Sequence, residues 1–323
     1  MRAISCPALG QDLIVTEVER QPLGPGQVRI KIAAAGVNFA DTLMIVGTYQ
    51  EPLTPPFVPG LELSGHVIET APGVTRTKVG DRVIAVVVGG AWAEETVTDE
   101  ANVFPLPDHL DLIQAAGFPI VYGTSLGALA KAELKAGESL VVLGASGGVG
   151  LTAVEIGSQW GAEVIACASS PEKLAVAKDY GAKHLLDSTL PDLRGRIKAL
   201  TEGKGAHVSY DPVGGLLFEE SLRSMRAGGR MLVIGFASGK VPPIPANILL
   251  VKNITVIGYN WGGYKKIDRA AFIRSVEDSI ALWAEGRLKP HVSNVLDLDQ
   301  APQALDLLRT RAATGKVVLK IGA

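Results

Sequence analysis

The run LVVLGASGGVGLTAVEIG at residues 140–157 restricts this chain more than any other stretch. An apolar run meets a glycine-rich turn, and a pattern with helical period follows. Two chemical readings fit. Gly144-Ala145-Ser146-Gly147-Gly148 matches G-x-S-x-G, the strained elbow that presents a nucleophilic serine. Gly144, Gly147 and Gly150 match the loop that lets backbone N–H groups and a helix N-terminus approach a pyrophosphate.

The surrounding chain favours the second reading. From about Val121 onward, apolar strand candidates (SLVVLG, EVIACAS, AKHLLD, HVSYDPV, GRMLVIGF, NITVIGY) alternate with helical patterns (VGLTAVEIGSQW, PEKLAVAKDYG, LRGRIKALTEG, LFEESLRSMRAGG). Pro171 stands where a first-turn proline belongs, and Gly161, Gly181 and Gly228 stand where helices are expected to stop. Six strands with helical crossovers predict an α/β fold: a doubly wound parallel sheet with helices on both faces. The glycine loop follows the first of these strands, where a nucleotide fold carries its phosphate loop. A hydrolase elbow usually follows several strands of its own sheet. Asp211 and His291 come in the right order for a triad, but no HGGG-like oxyanion loop precedes them. Ser170-x-x-Lys173 lacks the partner motifs of penicillin-recognising enzymes, and no G-x-x-x-x-G-K-[ST] is present.

Before residue 120 the chain is rich in Gly and Pro, with short apolar runs. VRIKIAAAGV, LSGHVIET, DRVIAVVV and ETVTDEANVF read as strands, and a short helix is expected to start near Phe39, after Asn38. After residue 262 come helical stretches near 268–286 and 300–314, then a last strand, GKVVLKI. That strand could join the nucleotide sheet or return to the first domain.

The bulk properties narrow the function class. With 323 residues and a net charge of −2, the chain has no basic stripe for nucleic acid. Its two cysteines, Cys6 and Cys167, have no metal-ligand spacing. The N-terminus is too polar for a signal peptide, and no apolar run reaches spanning length. A cytoplasmic protein without a membrane partner is expected.

The glycine loop leaves the choice of dinucleotide open. An NAD site usually carries an acid about 20 residues after the glycines, on the ribose hydroxyls. Ser169 and Ser170 stand there instead, with Lys173 in the next helical turn. Two hydroxyls and a cation suit a 2′-phosphate, so NADPH is expected. Ser170 also fits a helix N-cap, and the two roles are compatible.

Taken together, AAGVNFADT, VPGLELSG, VGDRV, VYGTSLGAL, the glycine loop, SSPEKL, YDPVGG, VIGFASG and GKVVL resemble the zinc-independent quinone oxidoreductases of the medium-chain dehydrogenase/reductase superfamily. The resemblance runs nearly end to end. It implies a GroES-like β domain over 1–120, completed by about 288–323, with a Rossmann NADP-binding domain over 121–287. It implies hydride transfer from NADPH to a quinone or other conjugated carbonyl, by a homodimer that pairs through 253–259.

At the cofactor, the resemblance implies Ser146, Gly147, Gly148, Val149 and Gly150 on the pyrophosphate, with Ser169, Ser170 and Lys173 on the adenosine phosphate. Val213, Gly235, Phe236, Ala237, Asn260 and Trp261 would line the nicotinamide side. Trp261 reads equally as core or dimer packing. Asn38, Asp41 and Tyr49 would stand at the substrate cleft, with Thr124 a further candidate; Asp41 reads equally as a brace for the short helix. Superfamily alcohol dehydrogenases bind zinc through Cys and His, where this chain has Asn38 and Leu61, so no metal is expected. The alternatives are a reductase of enones, alkenals or acryloyl-CoA-type thioesters, and a non-catalytic NADPH-binding protein.

Overall fold

The structure is a computed structural model and describes residues 1–322. The chain divides into two compact units: residues 1–120 with the chain from 276 onward, and residues 121–275.

The first unit opens with a hairpin of β1 (Arg2–Ser5) and β2 (Ile14–Glu17). Then come β3 (Gln27–Val37), α1 (Phe39–Ile45), β4 (Glu62–Thr70), β5 (Arg82–Val86), β6 (Glu95–Asp99), β7 (Val103–Pro105) and α2 (Leu112–Ala116). Expectation and structure differ at ETVTDEANVF, which is not one strand. A 3₁₀ turn at Glu100–Asn102 separates β6 from β7. The turn turns inward because the Glu100 carboxylate accepts the amides of Thr75, Arg76 and Thr77, at 3.1, 2.5 and 2.8 Å. Those bonds outweigh burial and hold its pKa below the usual range.

The second unit follows α3 (Pro119–Lys131) with β8 (Ser139–Leu143), α4 (Gly148–Gln159), β9 (Glu163–Ala168), α5 (Pro171–Asp179), β10 (His184–Asp187), α6 (Leu193–Leu200), β11 (Ala206–Asp211), α7 (Gly215–Ser224), β12 (Met225–Val233), α8 (Ala246–Lys252), β13 (Thr255–Gly258) and α9 (Tyr264–Ile267). The six strands form one parallel sheet in the order β10-β9-β8-β11-β12-β13. The order reverses between β8 and β11, which makes their carboxyl ends a topological switch point. One helix is shorter than its sequence pattern. LFEESLRSMRAGG leaves the helix at Ser224, and Met225 already pairs with Ala206. Gly228 is therefore no helix stop. It lies within β12 at φ +72°, opposite the register shift between Ala206 and Val208. Burial of Met225 in the sheet core overrides the helical period of the sequence.

The chain ends with α10 (Arg269–Ala284), β14 (Val292–Asp297), α11 (Ala301–Arg309) and β15 (Lys316–Lys320). The last strand joins the first unit: β15 lies between β14 and β3. β3 is long enough to serve two partners on one side. Its first half pairs with β6 and its second half with β15, while β4 runs along the other side. Val37 faces Val317 and Ala35 faces Leu63, so the ladders bring Lys316 and Glu62 to the end of β3. Below them lies an apolar core that includes Ile30, Ile32, Leu63, Trp92 and Leu319.

Candidate active site

The loop between β8 and α4 shows which glycines the chain itself requires. Gly144 has φ +59°, and a Cβ there would reach Val213 at 3.0 Å. A Cβ on Gly150 would collide with the Gly144 carbonyl. Gly147 is different. Its φ of −80° suits any residue, and a Cβ would touch only the Gly144 oxygen, at 3.5 Å. As N-cap of α4 it offers no side-chain acceptor to the first-turn amides. This is a cradle that a Cβ would fill, below amides that suit an anion. The residues therefore fit a dinucleotide pyrophosphate. Beneath it, Ser125 and Thr152 hydroxyls meet the Val149 carbonyl at 2.9 and 3.1 Å, and Tyr210 OH meets Ser125 at 3.0 Å. These three hydroxyls brace the first turn of α4. Thr124, beside Ser125, is buried in α3.

The nucleophile reading of Ser146 loses its supporting acid. Asp211 accepts the amides of Val213 and Gly214, at 2.6 and 2.9 Å, and so shapes the loop after β11. Burial nevertheless pushes its carboxyl up to about 6, while those amides oppose the rise. His291 Nε2 meets Thr314 at 3.0 Å.

At the end of β9, Ser169, Ser170 and Lys173 come together. Lys173 Nζ donates to Ser169 Oγ at 3.3 Å, and Ser170 caps α5 by accepting the Lys173 amide. Glu172 also belongs to this group. Its carboxylate accepts the Ser170 hydroxyl, and that bond holds its pKa below the usual range. Counting along the sequence to the site of the ribose acid passes over Glu172, because it lies inside the next helical turn and folds back.

The loops after β11 and β12 are laced together. Ala237 N donates to Pro212 O at 3.1 Å, and Ser238 N to Val213 O at 2.9 Å. This brings Val213, Gly235, Phe236 and Ala237 to one end of the sheet. Asn260 is exposed, after β13. Trp261 is buried, with its Nε1–H on Ser275 at 2.9 Å and its ring 4.6 Å from that of Phe272. Gly123 has no side chain where that indole packs. The indole N–H is thus engaged within the unit.

In the first unit a polar cluster is buried at the end of β3. Asn38 Nδ2 donates to Glu62 Oε1 at 2.9 Å. Lys316 Nζ donates to Asn38 Oδ1, Glu62 Oε1 and Val37 O at 2.7, 2.8 and 3.0 Å. Glu62 Oε2 accepts the Ile120 amide at 3.0 Å. Gly36 makes room, since a Cβ there would strike the Glu62 carboxylate. The cluster fixes the Asn38 amide. Reversing it would set Oδ1 against a carboxylate and Nδ2 against an ammonium, removing two charge-assisted bonds of about 1.5–3 kcal/mol each.

Asp41 lies in the first turn of α1, fully buried. Its Oδ2 accepts the backbone N–H of Asn38 at 2.7 Å, which ties the helix start together, and Oδ1 has no hydrogen-bond partner. Burial pushes the carboxyl up to about 7. The backbone N–H of Asn38, Lys316 and the backbone N–H of Gly60 oppose that rise, and Glu62 adds to it. Tyr49 is partly buried, and its phenol is raised by burial and then by Glu51 and Asp41.

Residues 24–108 match the alcohol dehydrogenase GroES-like domain family, and residues 148–277 match the zinc-binding dehydrogenase family. A quinone oxidoreductase-like protein 2 homolog of Nematostella vectensis is 40% identical over 323 residues, covering 98% of this chain and 88% of its own. The chain belongs to the quinone oxidoreductase family of the medium-chain dehydrogenase/reductase superfamily. A quinone oxidoreductase of Pseudomonas aeruginosa is 33% identical over 325 residues, covering 98% and 99% of the two chains. The structure of Escherichia coli quinone oxidoreductase complexed with NADPH superposes with a TM-score of 0.91 at 29% identity, covering 99% and 100%. The GroES-like match at 24–108 lies within the first unit, and the second unit carries the six-stranded parallel sheet.

Two residues of this quinone oxidoreductase-family chain escape the sequence reading: Glu62 and Lys316. Both lie inside motifs that carry the resemblance, VPGLELSG and GKVVL. The available signal was weak: Glu62 precedes Leu63 and Lys316 precedes Val317-Val318-Leu319, and a charge beside apolar strand residues is rarely buried unless paired.

Proposed function

We propose that this chain is an NADPH-dependent reductase of quinones and other conjugated carbonyl acceptors, acting without a metal ion. When bound, NADPH supplies a hydride from C4 of its nicotinamide. The protein binds and orients the reactants and excludes water. Ser146 through Gly150 would hold the pyrophosphate, and Ser169, Ser170 and Lys173 the 2′-phosphate. Val213, Gly235, Phe236, Ala237 and Asn260 would line the nicotinamide side, and Trp261 beside them packs against Gly123 and Phe272. The quinone oxidoreductase names of the relatives and the NADPH complex of the Escherichia coli protein support this reading.

The observation that carries it is the Asn38 amide, held between Glu62 and Lys316. Asn38 would donate an N–H to the acceptor's carbonyl oxygen as negative charge develops there. Tyr49 would stack against or bond to the substrate, Asp41 would brace Asn38, and Thr124 would be a further contact. A zinc ion does not fit. Asn38 and Leu61 cannot replace thiolate or imidazole, and the Lys316 ammonium already lies 2.7 Å from Asn38 Oδ1. A conjugated acceptor delocalises the added charge and needs no Lewis acid as strong as a metal.

The double-bond reductase reading has one feature of its own: Lys265, Lys266 and Arg269 would suit the phosphates of a CoA thioester. Lys265, however, sits over the Phe272 ring, 5.3 Å from its centroid. NADPH oxidation by protein stripped of metal, assayed with an ortho-quinone, a para-quinone, an alkenal and acryloyl-CoA, separates the two. Turnover with the quinones is expected. Turnover confined to the alkenal or thioester would replace quinone as the substrate.

The reading also includes a cytoplasmic homodimer. Both cysteines are free, and no helix among the described residues is long and apolar enough to cross a membrane. β13 ends the sheet order, and Leu250 and Val251 of α8 are 78% and 79% exposed. An open strand edge with exposed apolar residues preceding it invites pairing through 253–259. Light scattering that reports a monomer at micromolar concentration would overturn the dimer.

A further inference from the structure

We propose that Glu62 and Lys316 are positioning residues that act through Asn38, turning its amide so that one N–H faces the substrate oxygen. This rests on the reading of Asn38 as the carbonyl donor.

Every side-chain N–H of Lys316 and Asn38 but one has an acceptor within the cluster. Lys316 has three N–H bonds and three acceptors: Val37 O, Asn38 Oδ1 and Glu62 Oε1, at 3.0, 2.7 and 2.8 Å. No ammonium hydrogen is left for a substrate, so Lys316 is not itself the donor. Both Glu62 oxygens are engaged, Oε1 by Lys316 and Asn38 and Oε2 by the Ile120 amide. Asn38 Oδ1 is held by Lys316, and one Nδ2 hydrogen is held by Glu62. The second Nδ2 hydrogen meets no acceptor among the described residues.

The backbone is arranged around the same three groups. The β3–β15 register sets Val317 against Val37, which brings Lys316 level with Asn38. Gly36 clears the space for the Glu62 carboxylate, and the Lys316 stem lies against Gly117. A buried ion pair of this kind is seldom better for stability than apolar side chains of the same volume. Its distinct effect here is direction. The carboxylate selects the nitrogen end of the amide, the ammonium selects the oxygen end, and the pair adds no net charge.

The test is a cycle of variants of the full-length protein, read with NADPH and 1,4-benzoquinone. Asn38→Ala is expected to lower kcat/KM for the quinone about 100-fold. Glu62→Gln/Lys316→Met, which removes both charges together, is expected to lower it about 10-fold with the KM for NADPH unchanged. Combining all three substitutions is expected to do no more than Asn38→Ala alone, because the pair acts only through that amide. Factors that multiply instead would overturn the positioning role while leaving Asn38 as donor. Full turnover in Asn38→Ala would overturn both. If the paired variant does not fold, Glu62→Asp keeps every charge, shortens the arm and is read the same way. A second readout does not depend on turnover. The side-chain amide signals of Asn38 in a ¹⁵N spectrum, assigned by their loss in Asn38→Ala, are expected as a single set of two proton signals. In the variant lacking the pair they are expected to shift or split. Identical signals in the two proteins would overturn the positioning role. A wild type that reduces no quinone overturns the functional reading and with it the substrate-facing role, while the amide signals still decide whether the pair orients Asn38.

Discussion

Lys316 Nζ lies 2.8 Å from Glu62 Oε1, so the last strand of the chain neutralises a carboxylate that is buried 254 residues earlier. The two side chains are 6% and 0% exposed. Removing one partner leaves an uncompensated charge in the core. Lys316→Met alone is therefore expected to lose about 3–5 kcal/mol of stability. Glu62→Gln/Lys316→Met, which leaves no charge behind, should lose much less. Urea unfolding of the two variants checks this. Equal losses would mean that the charge pair is not what the site depends on.

Asp41 makes stability depend on pH, with a definite sign. An unfolded aspartate titrates near 3.9, and burial raises Asp41 to about 7. Between those values the folded chain keeps a proton that the unfolded chain has released. The contribution of Asp41 is thus fully present in acid and is lost as pH rises through about 7, on the order of a few kcal/mol in all. Asp41→Asn keeps an acceptor for the Asn38 backbone N–H without the titration. Its unfolding free energy should vary less than that of the wild type from about pH 5 to pH 8. Parallel curves for the two proteins would contradict the assignment.

The second unit and the Glu62–Lys316 pair differ in how far local sequence could show them. The sheet of the second unit was legible because each β8–α4 type of unit is read from periodicity and punctuation over a short stretch. Ser170, Pro171 and the glycine loop are signals of that kind. The Glu62–Lys316 pair has no such signal, since only the β3–β4 and β3–β15 registers bring it together. The same limit explains the errors. Helical period continues past Ser224, but Met225 is taken into the sheet. Strand propensity continues through Glu100, but three amides draw that side chain inward. The helix start after Asn38 is legible in the sequence, whereas Glu62 and Lys316, which hydrogen-bond the Asn38 side chain, are not.

The glycines of the loop between β8 and α4 should separate by role. Gly150→Ala forces a Cβ into the Gly144 carbonyl and is expected to damage the fold itself, lowering the melting temperature by several degrees. Gly147→Ala finds open space and a permissive φ, so the fold should hold. The new methyl would instead occupy the approach to the α4 amides. NADPH affinity, read by quenching of protein fluorescence, is expected to fall about tenfold or more, a loss comparable to one good hydrogen bond to a charged group. Unchanged affinity in Gly147→Ala would place the pyrophosphate elsewhere.

Cofactor choice should turn on the balance of Lys173 and Glu172. The ammonium reaches Ser169, while the Glu172 carboxylate accepts the Ser170 hydroxyl, so one cation and one anion share the proposed 2′-phosphate position. A 2′-phosphate gains a charge-assisted bond from the first and repulsion from the second. Lys173→Ala is expected to weaken NADPH about tenfold and to leave NADH nearly unchanged, because NADH has no phosphate there. Glu172→Gln removes the repulsion, retains an acceptor for Ser170 and is expected to tighten NADPH a few-fold. Both effects should shrink at about 1 M salt, since the group is at the surface and ions screen it. Titrating both nucleotides at low and high salt checks all three expectations. Equal losses for NADH and NADPH in Lys173→Ala would assign that side chain to the fold of α5 rather than to the phosphate.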